Sequence, residues 1–459
     1  MDLTQTAAGD QDGHALAASF IATARWEKLP SPAQRRARLA LIDNLGAALA
    51  GTLTRVYAIA SGVAAATWPG SSATLLLSGK RAGAAGAAFA NGAAANAIDI
   101  DDSTRYANGH GGAQIFPTAL AVAEARGLSG ADLLCGLVVG YEVAHRAGRC
   151  WHASRDVYQA CGSWGSVACA AVAAHLMGLS AGQAGHALGI ADYQAPNLPM
   201  MRDIEHPAMV KHGIYWGAMT GVLSAELAAA GFTGIPSLLS FPAFREWTTD
   251  IGQNYLIVDG IAWKPKGFAC CGWAHAAVEG ARSLVQRHGV RIPDIARIHI
   301  DTFHESACLG TRLPTTTEEA QFNLAWPVAA MLIDGEIGPR QVLEDRLTDP
   351  AIRALASRID VTESPELEEL CRLFVAGDPR GRFASEVTIT LASGRELKSG
   401  LVEGPLSFPQ RGWDEGTVEE KFRWLANNVL ESRAVDELWA LLRRVEGLAD
   451  VRELTALLA

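Results

Sequence analysis

The chain is short of positive charge: 39 Lys and Arg against 49 Asp and Glu give a formal net charge of -10 over 459 residues, with a pI near 5.7. Such a surface offers no counterion release to nucleic acid and no attraction to an anionic membrane, so neither is expected as a partner. An anionic ligand would need locally placed Arg, Lys or His. The eight cysteines are scattered and contain no CxxC pair, which argues against a zinc ribbon or disulfide scaffold and fits a reducing, cytoplasmic setting. Residues 1–14 are polar and acidic, without the basic flank and apolar run of a signal peptide. Long uncharged runs are broken too: Gly178 and Ser180-Ala-Gly182 split the one at 161–191 into pieces shorter than the roughly 20 residues of a membrane span.

What is abundant is small and apolar. With 49% hydrophobic and 19% charged residues the chain can bury a large core, and its length suggests about two domains. Residues 31–51 read as a helix with Ser31 as N-cap, Pro32 in the first turn, and Leu39, Ile42, Leu45 and Leu49 on one face. Helical patterns continue over 117–126, with Pro117 opening the helix, then 129–149 behind a Ser129/Asp132 capping box, and over 163–177, 180–191 and 207–230. No strand signal of weight occurs in this half. After Lys266 the pattern changes: a helix over 274–288 leads to a strand over 296–304, where Ile298 and Ile300 alternate with polar neighbours. A strand pair follows at 386–391 and 395–398 around Ala392-Ser-Gly394. Helix returns at Thr417, read as a second capping box. The expected architecture is mainly α: a large all-helical domain from 1–265 plus 400–459, with an inserted smaller α+β lid domain over 266–399.

Chemistry concentrates between Asn91 and Pro117, where an uncharged run ends in Asp99, Asp101 and Asp102, followed by Ser103, His110, Gly111 and Gly112. These acids could bind a hard divalent cation or cap a helix end. The glycines near His110 could suggest a phosphate cradle, but the Walker lysine and hydroxyl are missing. Cys270-Cys271 is open to a nucleophilic or a purely packing reading. The basic cluster His145, Arg146 and Arg149 is read as a solvated or interface face.

Four blocks together resemble the MmgE/PrpD superfamily of 2-methylcitrate dehydratase, cis-aconitate decarboxylase and iminodisuccinate epimerase: residues 41–51; Asn91 to Asp102 with His110 and Pro117; Lys266-Gly-Phe-Ala-Cys-Cys-Gly-Trp-Ala-His275; and 325–335. Lys211-His-Gly-Ile214 and Glu420-Lys-Phe422 add to the match. The resemblance implies a helical domain closed by an α+β lid, a homodimer, no metal or organic cofactor, and small di- or tricarboxylic acid substrates that lose an α-proton or a carboxylate. It places the family's Asp-x-Asp-Asp-Thr motif on Asp99, Asp101, Asp102 and Ser103, its histidine on His110, its lid lysine on Lys266, and its closing histidine on His275.

Three positions depart from the family pattern: Gln159 replaces a histidine, Arg202 a lysine, and Trp326 a tyrosine. An arginine clamps carboxylates bidentately but does not carry protons. The resulting expectation is a lyase, dehydratase-like, with His110 and Lys266 as acid-base groups and Asp99 positioning them. Ser103, Arg202, Gln159, Cys271, His275 and Trp326 are expected to bind substrate. An epimerase using the same proton abstraction and a carboxylate-binding homologue without catalysis are the alternatives.

Overall fold

The computed structural model describes residues 12–261, 265–376, 378–404 and 412–459. The protein is mainly α. The segment 1–11, part of the N-terminus judged unlike a signal peptide, lies outside the described residues, as do the parts of the expected domains at 262–264, 377 and 405–411.

Small residues set how the helices meet. Helix α1 (Ser31–Gly51), α2 (Ala84–Ala95), α3 (Gly112–Arg126), α4 (Gly130–Ala153), α5 (Cys161–Leu176), α6 (Ala181–Tyr193) and α7 (Ile214–Ala229) pack on one another with α5 at the centre, against α3, α4, α6 and α7. A Cβ on Gly221 of α7 would strike Cys169 of α5, so glycine lets those two axes close to backbone contact. Helix α9 (Glu415–Ala426), near the C-terminus, returns to α1, where Phe422 packs over Gly46.

The α+β part centres on a four-stranded sheet in the order β4-β3-β5-β6, built from β3 (Ile295–Thr302), β4 (Ile359–Glu363), β5 (Ala384–Leu391) and β6 (Glu396–Glu403). Helix α8 (His275–His288) lies on β5 and β6. In β3 Ile298 and Ile300 are buried and Arg297 is exposed, the alternation read from the sequence. Strand β4 pairs in parallel with β3, and its mixed Ile-Asp-Val-Thr-Glu sequence carries no clean alternation that would have announced it.

Several local expectations are corrected. Pro117 lies inside α3, which begins at Gly112 because Asp102 reaches back to receive the Gly112 N–H at 2.9 Å. Ser31 is already helical, and Pro30 holds the N-cap position without a side-chain bond. Helix α9 is capped by Asp414, which accepts the Thr417 N–H at 2.9 Å. The helix expected over 207–230 starts only at Ile214. The first half also holds a short hairpin, β1 (Ala73–Leu75) with β2 (Lys80–Ala82). Arg146 and His145 are buried rather than solvated, and Arg146 pairs with Glu142 at 3.0 Å and Asp250 at 2.8 Å. The Ser129/Asp132 capping box forms as expected. Among the described residues no single helix is long and apolar enough to cross a membrane.

Candidate active site

A cavity of about 330 Å³ opens between the helical part and the α+β part. Its helical wall is the loop between α2 and α3, which supplies Ser103 and His110, together with His212; Lys266 and Cys271 come from the segment leading to α8. The loop is held from below. Tyr141 Oη and Asn44 Nδ2 both donate to Asp102, and a Cβ on Gly112 would collide with both partners, which is why glycine begins α3 there.

His110 is oriented by Asp101. Its Nδ1 lies 2.8 Å from Asp101 Oδ2, while Asn96 Nδ2 donates to the other Asp101 oxygen at 2.8 Å. An ionised carboxylate only accepts, so this contact places the ring proton on Nδ1 and leaves Nε2 as the basic nitrogen. Burial acts to raise the Asp101 pKa, but His110 overcomes it and the carboxyl titrates below its ordinary value.

Asp99 lies on the Nε2 side of His110, with Oδ1 at 3.5 Å, and forms an ion pair with Lys266. The Lys266 ammonium also donates to the Asp99 carbonyl at 2.6 Å. Burial opposes ionisation of both partners; each nevertheless stays charged. For Asp99 the combined positive field of Lys266, His110, Lys211 and His212 holds the carboxyl far below the usual range. For Lys266 the carboxylates of Asp99 and Asp101 hold the pKa above the ordinary lysine value. The pairing thus favours the charged form of Lys266, held against Asp99. The Cys271 thiol is pushed up to about 12 by burial, so it meets the cavity as a neutral group.

A second acid–imidazole pair backs the first. His212 Nδ1 lies 2.7 Å from Asp203 Oδ2, and its ring stacks on His110 with centroids 5.4 Å apart and planes 21° apart. Lys211, His212 and Gly213 are consecutive left-handed residues at φ of 37°, 57° and 62°. Asp99 is left-handed as well, at φ 54°. Such conformations cost about 1–3 kcal/mol each for non-glycine residues and persist where the surroundings enforce them. They occur at His212, which lines the cavity, and at Asp99, whose carboxylate meets Lys266 behind it.

Asp99, His110 and His212 offer ligand atoms within 4.8 Å of one another, a spacing a divalent cation could bridge. The Lys266 ammonium already rests on Asp99, so a cation there would have to displace it.

Comparison with known proteins gives the family of the chain. A model of the MmgE/PrpD N-terminal domain matches residues 16–243, and one of the MmgE/PrpD C-terminal domain matches residues 268–446. The chain belongs to the MmgE/PrpD family. Its relatives in this family include the cis-aconitate decarboxylase of Aspergillus terreus, 26% identical with 96% of this chain and 94% of the relative covered. The human cis-aconitate decarboxylase is 27% identical over 92% of this chain and 90% of its own length. A 2-methylcitrate dehydratase of Cupriavidus necator is 31% identical over 56% of this chain and 55% of its own.

Several residues expected from MmgE/PrpD resemblance stand elsewhere. Gln159 is buried, accepting the Leu198 N–H at 2.9 Å and donating to the Val157 carbonyl at 3.3 Å, so its amide ties two backbone segments together. Arg202 is exposed and lines a separate hollow beside Trp216. Trp326 is fully buried and donates its indole N–H to the Gln341 carbonyl at 2.8 Å, a core role. His275 sits at the start of α8, buried behind the cavity against Phe268. Ser103, His110, Lys266 and Cys271 line the cavity, with Asp99 directly behind. Sequence reasoning missed Asp203 and the orienting role of Asp101, and met His212 only within the Lys211-His-Gly-Ile214 match. The clue was local: Asp203 stands nine positions before His212 of the Lys211-His-Gly-Ile block.

Proposed function

We propose that this protein is a lyase that removes the α-proton of a small carboxylic acid and eliminates water, with His110 as base. The observation that carries this reading is the convergence, on one cavity, of an imidazole held through Nδ1 by Asp101 and a lysine ion-paired with Asp99. Nε2 of His110 takes the proton; Asp101 retains the Nδ1 proton and balances the imidazolium. Lys266 supplies the positive charge for the substrate carboxylate and the enolate that develops from it. Asp99 holds Lys266 in place and adds negative field beside Nε2. His212 donates a proton to the departing hydroxyl, and Ser103 offers a hydroxyl to the substrate. These groups provide base, acid and counter-charge without a cofactor.

Elimination is favoured over epimerisation because His110 and His212 stack side by side on one wall, whereas epimerisation needs proton carriers on opposite faces of one carbon. Decarboxylation is the second reading. Support for it comes from relatives named cis-aconitate decarboxylases that match nearly the whole chain. We further propose a cytoplasmic homodimer, with exposed Trp216 and Phe232 on the candidate contact surface; sedimentation at several concentrations tests it. The function itself is tested by incubating hydroxy- and unsaturated di- and tricarboxylates in deuterated water. Solvent deuterium at the α-carbon with alkene formation is expected. Release of carbon dioxide would move the assignment to decarboxylation, and neither exchange nor elimination across the panel would sink the reading.

A further inference from the structure

The cavity lining holds two groups of different chemistry. His110 and His212 stack on each other and share the lining with Lys266, whereas Trp273, Phe303 and Phe383 form an aromatic group. These rings form a continuous surface: Trp273 meets Phe303 edge-on at 6.3 Å, and Phe303 stacks on Phe383 at 5.3 Å and 18°. Met200 and Val375 extend it, and Val375 is 61% exposed at the mouth.

Charge is distributed in the same sense. Among the described lining residues Lys266 is the only Lys or Arg, and Asp99 already neutralises it. The acidic Glu305, two residues after Phe303, also lines the cavity. A second or third carboxylate against the aromatic group would lose hydration and meet a like charge, with no Lys or Arg among the described lining residues besides Lys266 to receive it. An alkyl or aryl group there would bury apolar surface instead.

We infer that the cavity takes a carboxylic acid bearing an apolar tail, with its carboxylate end at Lys266 and His110 and its alkyl or aryl tail against Trp273, Phe303 and Phe383. Which end reacts rests on the lyase reading above; the tail site rests on the wall alone.

The test separates the two. Binding of succinate, butylsuccinate, phenylsuccinate and citrate to the full chain is measured by calorimetry, and deuterium exchange is followed independently with malate and 3-butylmalate. Each buried methylene is worth about fourfold in affinity, so butylsuccinate is expected to bind on the order of a hundredfold tighter than succinate. Val375→Asn, at an exposed position that tolerates the change, and Phe383→Ser are each expected to cut that preference about tenfold. Equal affinity for succinate and butylsuccinate, or tighter binding of citrate than of butylsuccinate, overturns the tail site even if malate exchanges. A clear tail preference with no exchange in either malate supports the tail site and removes the lyase reading. Binding of none of the four acids overturns the tail site.

Discussion

The imidazoles of His110 and His212 stack with centroids 5.4 Å apart, and each is backed by its own carboxylate, Asp101 at 2.8 Å and Asp203 at 2.7 Å. Two oriented rings on one wall permit a division of labour between taking a proton and giving one. If His110 is the base, His110→Gln abolishes both deuterium exchange and product formation. His212→Gln, by contrast, retains exchange while lowering product formation about 10²-fold, the usual range for a lost general acid. Equal loss of exchange in both variants would contradict the division.

Asp101 touches no substrate in this scheme and acts through His110. Asp101→Asn keeps the shape but no longer compels the proton onto Nδ1, so kcat is expected to fall about 10²-fold or more with KM little changed. The acidic limb of the pH–rate profile should also move down, because the imidazolium loses a counter-charge. A purely structural Asp101 would lower the amount of folded enzyme and leave that limb in place.

The Asp99–Lys266 pair makes a signed prediction for stability. Asp99 titrates below its unfolded value, so its contribution is complete above about pH 4 and is lost as pH falls below that. In Lys266→Met its principal counter-charge is gone and burial drives the carboxyl upward. The folded state then holds a proton that the unfolded chain has released, and stability declines as pH rises from about 4 through the new folded pKa. Urea midpoints at several pH values between 4.5 and 7.5 should show the variant falling progressively behind the wild type. A constant offset between the two curves would refute the argument.

Lys421 of α9 and Asp43 of α1 form a pair at 2.7 Å with both side chains fully buried, and Lys421 also donates to the Ile100 carbonyl beside the site at 2.7 Å. Burial lifts the Asp43 pKa to about 6 despite the lysine. Lys421→Met strands the acid and is expected to cost about 3–5 kcal/mol in chemical denaturation, whereas Asp43→Leu combined with Lys421→Met recovers most of the loss. A double variant as weak as the single one would show that the pair is needed for more than charge balance.

Much of this was legible along the chain. Helices such as Ser31–Gly51 and Gly130–Ala153 follow from apolar residues recurring at helical spacing, and β3 from Ile298 and Ile300 alternating with polar neighbours. The chemistry of the Asn91 to Pro117 stretch was visible because three acids and a histidine stand out against an uncharged run. Beyond those stretches the residue type at an aligned position did not reveal its surroundings. Gln159, Arg202 and Trp326 differ from the family pattern, and their side chains serve backbone ties, a separate hollow and the core.

The sequence by itself therefore determined what is local and periodic: a helical protein with a small sheet, its family, and Asp99, His110 and Lys266 as candidates. Only the tertiary structure decided the partnerships. Asp99 meets Lys266 across 167 positions because the segment leading to α8 packs against the loop between α2 and α3. Asp101, rather than Asp99, orients His110, and a run of left-handed backbone brings His212 beside it. Spacing reports which residues share a face of one element; whether two charges from different elements meet depends on how those elements pack, and that in turn sets each group's ionisation.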